Sequence, residues 1–264
     1  MKKFLKDLFI FLAIFSIIVF IGLKITKFLL YHEYRKKTFS SPYEKGIVIT
    51  FHGIYGEDRD LEKIAETLKE NGYSGVNIQY PTTEGTIEEI TEKYISGEIK
   101  YYSDYVEKEN KRREKENLPE IKIHFVVHSL GSVILRHYLK NNSIEHMGKV
   151  VFLSPPSHGS HLADLRIVSL MNGTLGAAAS QFKTFPDSFV NHLGSPHYNC
   201  YVLMGNKSNN FFYSWIIPGV DDGMVPFDTA KLSGCKYRTI ENTTHTSILT
   251  DKRTLKEIVD YLEK

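Results

Sequence analysis

Three residues of this sequence could pass a proton between them: Ser129, Asp222 and His245. Ser129 stands in Val127-His128-Ser129-Leu130-Gly131, between the apolar run HFVV and the helix-like SVILRHYL. A serine hydroxyl is a weak nucleophile until a neighbouring base takes its proton, and a sharp strand-to-helix turn is the usual way of exposing it. Such turns commonly read GxSxG; here Val127 replaces the first glycine, which a strand end accommodates with some local crowding. An N-capping serine would look similar, so the weight falls on its partners. They come in the order serine, acid, histidine: Asp222 in VDDGMVP after the apolar YVLMGN, and His245 in ENTTHTSIL after CKYRTIE. His245 would take the Ser129 proton and return it to the leaving group, while the acid holds the imidazole in the useful tautomer. Asp222 precedes Gly223, whose backbone freedom suits a turn that aims an acid inward. The adjacent Asp221 stays open as the alternative, with Glu241 and Asp228 weaker still. The first apolar run ends in FHGIYG, so the amides of Ile54 and Leu130 are candidates for an oxyanion hole, with His52 and His128 as supports for these turns.

The elements needed to place these residues are legible as apolar, β-branched runs alternating with helical patterns. GIVITFHG, YSGVNIQYP, IKIHFVVHS, GKVVFLSPP, HYNCYVLMGN and CKYRTIE read as strands, most of them nearly continuous apolar runs as expected of strands covered on both faces. Between the first two, Leu61, Ile64, Ala65 and Leu68 recur at helical spacing before Asn71 and Gly72 stop the pattern; 86–117, 131–139 and 254–262 read as further helices. The fold class expected is α/β, a mostly parallel twisted sheet with helices on both faces, each candidate residue placed just after a strand's carboxyl end. Residues 46–264 form the expected domain. A cap is placed at about 160–189, where LADLRIVSLM and the small, flexible GTLGAAASQF read equally as a lid or a crossover helix.

With a formal net charge of +2, no excess of one sign implies a nucleic-acid partner. The start differs: Leu8 to Leu23 runs LFIFLAIFSIIVFIGL, apolar except for Ser16, behind Lys2, Lys3 and Lys6. Sixteen helical residues reach about 24 Å, short of about 30 Å of hydrocarbon, but Ile25 and Phe28–Tyr31 continue the character and Lys24 and Lys27 could snorkel. With no small-x-small cleavage site after the run, residues 1–31 read as a single-pass membrane anchor and 32–45 as a linker, the facing left open. Cys200 and Cys235 begin two of the expected strands; two buried thiols are favoured over a bond.

FHGIYG, VVHSLGS, DDG and His245, with NIQYP and SPPSHGSHLAD, resemble the α/β-hydrolase superfamily, and within it the bacterial lipase-like esterases related to triacylglycerol lipases and lipid-anchor inositol deacylases. The resemblance covers Gly46 to Leu262. It implies a carboxylic ester hydrolase that needs no metal or organic cofactor, without settling the substrate; a lipid-like or membrane-associated acyl ester is expected because the N-terminal anchor would hold the site near a bilayer. An acyltransferase with the same triad, and a silent hydrolase fold used for interaction, are the alternatives.

Overall fold

The computed structural model describes residues 2–264, and the side chains of all of these except residues 2–8, 10 and 13. Seven strands form one sheet: β1 (Arg35–Phe39), β2 (Ile47–Phe51), β3 (Ser74–Gln79), β4 (Ile123–His128), β5 (Met147–Leu153), β6 (Cys200–Gly205) and β7 (Lys236–Ile240), in the order β1-β3-β2-β4-β5-β6-β7. All neighbours are parallel except β1 and β3. The continuous apolar runs have the reason expected of them, because alternate side chains enter two different cores. Ile49, Phe51, Phe125, Val127 and Phe152 pack with Ile99, Tyr102 and Val106 of the helix Ser96–Lys115 and with Val133 and Ile134 of the helix Leu130–Asn141. Val48, Val126, Val151 and Leu203 pack on the other face with Ile64 and Leu68 of Glu62–Glu70 and with Leu255, Ile258 and Leu262 of Lys252–Glu263. The α/β class with a mostly parallel sheet is what the apolar runs predicted.

Two expectations for the N-terminal residues need correction. The stretch 32–45 is not a plain linker, because Arg35–Phe39 adds an antiparallel edge to β3. Its side chains are held by ion pairs to the body of the domain, Arg35 with Asp58 at 2.6 Å, Lys36 with Glu98 at 2.8 Å, and Lys37 with Glu62. The single-pass transmembrane anchor expected over 1–31 is not supported: residues Lys2–Leu30 form a helix, yet among the described residues no helix is long and apolar enough to cross a membrane. The uninterrupted run Leu8 to Leu23 spans about 24 Å, against about 30 Å of hydrocarbon, and Lys24 and Lys27 interrupt the apolar residues beyond it. Met1 lies outside the described residues, as do the side chains of Lys2, Lys3 and Lys6 invoked as the basic flank.

Cys200 and Cys235 are joined in a disulfide, where two free thiols had been favoured. They stand side by side because β6 and β7 are parallel neighbours in a register that pairs Tyr201 with Lys236, one residue further along each chain. The segment between β5 and β6, where a cap was expected, folds as the short helices His161–Asp164, Arg166–Leu170 and Asn172–Leu175, followed by the 3-10 turn Ala177–Phe182.

Candidate active site

β4 ends at His128, and Ser129 makes the turn with φ 50° and ψ −117° before the helix Leu130–Asn141 starts. A non-glycine residue in that region is strained, and the surrounding packing holds it there. A Cβ on Gly131 would come within 2.7 Å of the Phe51 carbonyl, and one on Gly53 within 2.8 Å of the Ser129 Cβ, so the elbow and the FHGIYG turn touch through their glycines. Val127, in place of the first glycine of the usual pattern, is fully buried within the sheet and is accommodated there.

His245, in the loop after β7, brings Nε2 to 2.9 Å from the Ser129 Oγ. Its Nδ1 lies 2.8 Å from Oδ2 of Asp222. A carboxylate on that side requires the proton on Nδ1, which leaves Nε2 to accept the Ser129 hydroxyl. Asp222 is itself oriented: Oδ1 accepts the amides of Met224 at 3.0 Å and Val225 at 2.9 Å, and its carbonyl accepts the His245 amide at 2.7 Å. Burial acts to raise the Asp222 carboxyl, but the neighbouring His245 charge and the hydrogen bonds it accepts outweigh that, holding it below the ordinary aspartate value. Asp221 points elsewhere, with Oδ1 accepting the Gly223 amide at 2.6 Å as a turn residue does. Ser129, His245 and Asp222 are thus brought together; Asp221, Glu241 and Asp228 are not. Glu241 instead pairs with Asn206, and Asp228 with Lys231.

Ile54 shares a cavity wall with Ser129, and its amide has no backbone partner among the described residues. Leu130, as the first residue of its helix, has no intrahelical acceptor for its amide. The two flanking histidines hold the turns. His52 stacks on Tyr80, receives its amide on Nε2 at 3.2 Å and donates from Nδ1 to the Gly53 carbonyl at 2.7 Å. His128 donates from Nε2 to the His245 carbonyl at 2.9 Å. Burial pushes His52 down to about 4, and burial with the nearby His245 pushes His128 down to about 3, so both are neutral supports near pH 7.

Ser129 and His245 line two cavities at once. One, about 280 Å³, is walled by Leu162, Leu165, Val168, Leu175, Phe182 and Tyr213. The other, about 480 Å³, carries Arg59, Asp60, Thr246 and Thr250. Leu170, in the same segment as Leu165 and Val168, is 72% exposed and does not line the first cavity. Tyr55 was not singled out from the sequence: its amide donates to Thr82 Oγ1 at 3.0 Å and its hydroxyl to the Leu175 carbonyl at 2.9 Å, tying the FHGIYG turn to the cap. The only signal was its place in that turn. Among the described residues no group of three or more His, Cys, Asp or Glu could hold a metal ion.

Residues 41–185 match the family described as "Putative serine esterase (DUF676)". No curated protein matches the sequence. In fold, the chain is similar to the Bacillus licheniformis lipase BlEst2 in mature form, with a TM-score of 0.63 at 18% identity over 87% of this chain and 97% of that one. It is also similar to the Exiguobacterium antarcticum esterase, at 0.56 and 12% over 88% and 96% of the two chains. The Paleococcus ferrophilus monoacylglycerol lipase gives 0.53 and 16% over 88% and 98%.

Proposed function

The chain belongs to the DUF676 serine esterase family, and from that premise we propose that it hydrolyses carboxylic esters through an acyl-enzyme on Ser129. The observation that carries the proposal is the hydrogen-bonded chain from Ser129 through His245 to Asp222, at 2.9 and 2.8 Å, set at the floor of an apolar cavity. The Ser129 oxygen attacks the ester carbonyl carbon while His245 Nε2 takes the hydroxyl proton, and Asp222 stabilises the imidazolium. The carbonyl oxygen, now negative, is met by the amides of Ile54 and Leu130. His245 then protonates the departing alcohol oxygen. Water repeats the attack on the acyl-enzyme, giving its proton to His245 and releasing the acid and the free Ser129 hydroxyl.

Two cavities meeting at one nucleophile suit an ester with two unlike halves. The Leu162, Leu165 and Val168 side accepts an apolar acyl chain, and the side with Arg59, Asp60 and Thr246 a more polar alcohol. A lipid-like ester fits that description. Apolar surface close by supports the same substrate: Phe211, Phe212 and Trp215 are exposed on a helix whose Tyr213 lines the acyl cavity, and the N-terminal helix, with Phe11, Phe15 and Phe20 exposed, packs against the cap segment Asn172–Leu175. We infer that the ester is met at a lipid surface, on which these side chains lie without spanning it.

Steady-state hydrolysis of a soluble chromogenic ester tests the assignment. Ser129→Ala and His245→Ala should each reduce turnover to near background, and the double variant should lose no more than either, because the residues act as a unit. Comparable turnover in folded Ser129→Ala would overturn it. Co-sedimentation with phosphatidylcholine vesicles tests the lipid surface, and Phe212→Ser with Trp215→Ser should weaken it without reducing hydrolysis of the soluble ester.

A further inference from the structure

The catalytic residues occupy the carboxyl ends of the strands, but a second cavity, about 600 Å³, lies at the opposite end of the sheet. It opens where β2, β4 and β5 begin, and His124, the second residue of β4, lines it with its ring all but buried, 6% exposed. The ring has a built slot. A Cβ on Gly148 would come within 2.6 Å of it and one on Gly46 within 3.1 Å, so both glycines leave room for an imidazole. The β4–β5 ladder is irregular at the same place: Ile123 pairs with Met147 but Phe125 with Val150, so one extra residue of β5 faces His124. That bulge turns the Lys149 amide onto His124 Nδ1 at 3.1 Å. With Nδ1 accepting, the neutral ring carries its proton on Nε2, and Nε2 has no partner among the described residues. This donor belongs to a ring held in place on its other side and is open to an acceptor in the cavity it lines.

The charges around it have one sign in excess. Lys45 is neutralised by Glu263 at 2.7 Å, and Glu120 stands at the rim, but Lys122, Lys149 and Lys264 make no ion pair among the described residues. Lys149 spends two of its hydrogens on the Tyr261 and Leu262 carbonyls, at 3.0 and 3.3 Å. Burial first, and then the charges of Lys122, Lys236 and Lys264, hold it below the ordinary lysine value. Burial and the charges of Lys149 and Lys122 also push His124 down to about 4, keeping it a neutral donor near pH 7.

We propose that this cavity binds a phosphate-class dianion, with one oxygen on the His124 Nε2–H and the others among the Lys122, Lys149 and Lys264 ammonium groups. The site is independent of the esterase reading. A compact tetrahedral anion with several acceptors matches a neutral donor ringed by unpaired cations, and such charge-assisted bonds are the strong ones. The anion is either free phosphate or the phosphomonoester headgroup of a lipid.

Titration calorimetry of the full chain with inorganic phosphate, and flotation with vesicles of phosphatidylcholine with and without phosphatidic acid, test the proposal. Saturable binding of phosphate should be lost in His124→Phe, which keeps a ring in the slot but no donor, and weakened at least about fivefold, or about 1 kcal/mol, in Lys122→Gln with Lys264→Gln. Ser129→Ala should bind as the wild type does. Should His124→Phe fail to fold, the double lysine variant carries the test, since both side chains are exposed. Binding of free phosphate identifies a soluble anion. Flotation that requires phosphatidic acid and is lost in the same variants, without binding of free phosphate, identifies a headgroup. Absence of binding to either, or binding that every variant retains, overturns the proposal.

Discussion

Shortening the acyl cavity should move the preferred ester chain length by a countable number of carbons. The cavity beside Ser129 measures about 280 Å³. At roughly 30 Å³ for each methylene-sized unit, on the scale of a water molecule's share of the liquid, it holds about nine carbons. Each methylene moved from water into it is worth about 0.8 kcal/mol, or about fourfold in kcat/KM, until the space is full. Ala179, buried in its wall, offers a way to subtract volume: Ala179→Leu adds three carbons and removes room for about three methylenes. The wild type should therefore climb from acetyl esters to chains of about nine carbons and then level or fall, while the variant should level near six. On the nine-carbon ester the variant should be slower by up to about 60-fold, with the acetyl ester within about twofold. The assay is a series of p-nitrophenyl esters kept below micelle-forming concentrations. The same optimum in both proteins, or a kcat/KM that rises through the longest soluble chain in both, would refute the assignment of this cavity to the acyl chain.

Three further outcomes are expected. Asp222→Asn should lower kcat by about 10⁴-fold, because an amide no longer stabilises the imidazolium, whereas Asp221→Asn, which keeps an acceptor for the Gly223 amide, should change it only a few-fold; equal losses would contradict the choice of acid. Reducing the Cys200–Cys235 bond, which closes a loop with a sequence separation of 35, should cost about 3–4 kcal/mol and lower Tm by roughly 10 °C. An unchanged Tm under reductant, with two thiols titratable in the unreduced protein, would count against the bond. His52, His124 and His128 all titrate below the ordinary histidine value, at about 4, 4 and 3, so the unfolded chain binds more protons than the folded one below about pH 6.5. The stability they contribute is fully present above that pH and is lost as pH falls towards 4; melting curves from pH 7.5 to 5 should show Tm dropping, and a flat profile would be inconsistent with their neutral burial.

Legibility in the sequence depends on the range of the forces involved. Most of the strands from β2 to β6 are local apolar runs, and the elbow around Ser129 is a local pattern, so both are visible in one dimension. β1 is not: RKKTF has no apolar alternation, and its extended form is imposed by the open edge of β3 and by Asp58, Glu62 and Glu98, which arrive from elsewhere in the chain. The disulfide becomes legible only once the strands are ordered, since strands placed side by side in parallel register bring Cys200 opposite Cys235. At the site, the choice between Asp221 and Asp222 depends on which carboxylate a single turn directs inward, and the one sequence signal for that was Gly223 following Asp222.

The central claim is that Ser129 is an activated nucleophile, and labelling with a fluorophosphonate, with intact-protein mass spectrometry as the readout, tests it most directly. An unactivated serine does not react with this reagent, whereas one deprotonated by His245 displaces the fluoride and keeps the phosphonyl group. The wild type is predicted to gain the mass of one phosphonyl group at Ser129, with no gain in Ser129→Ala and strongly slowed labelling in His245→Ala. A folded wild-type protein that stays unlabelled, or a Ser129→Ala variant labelled as readily as the wild type, would contradict the account.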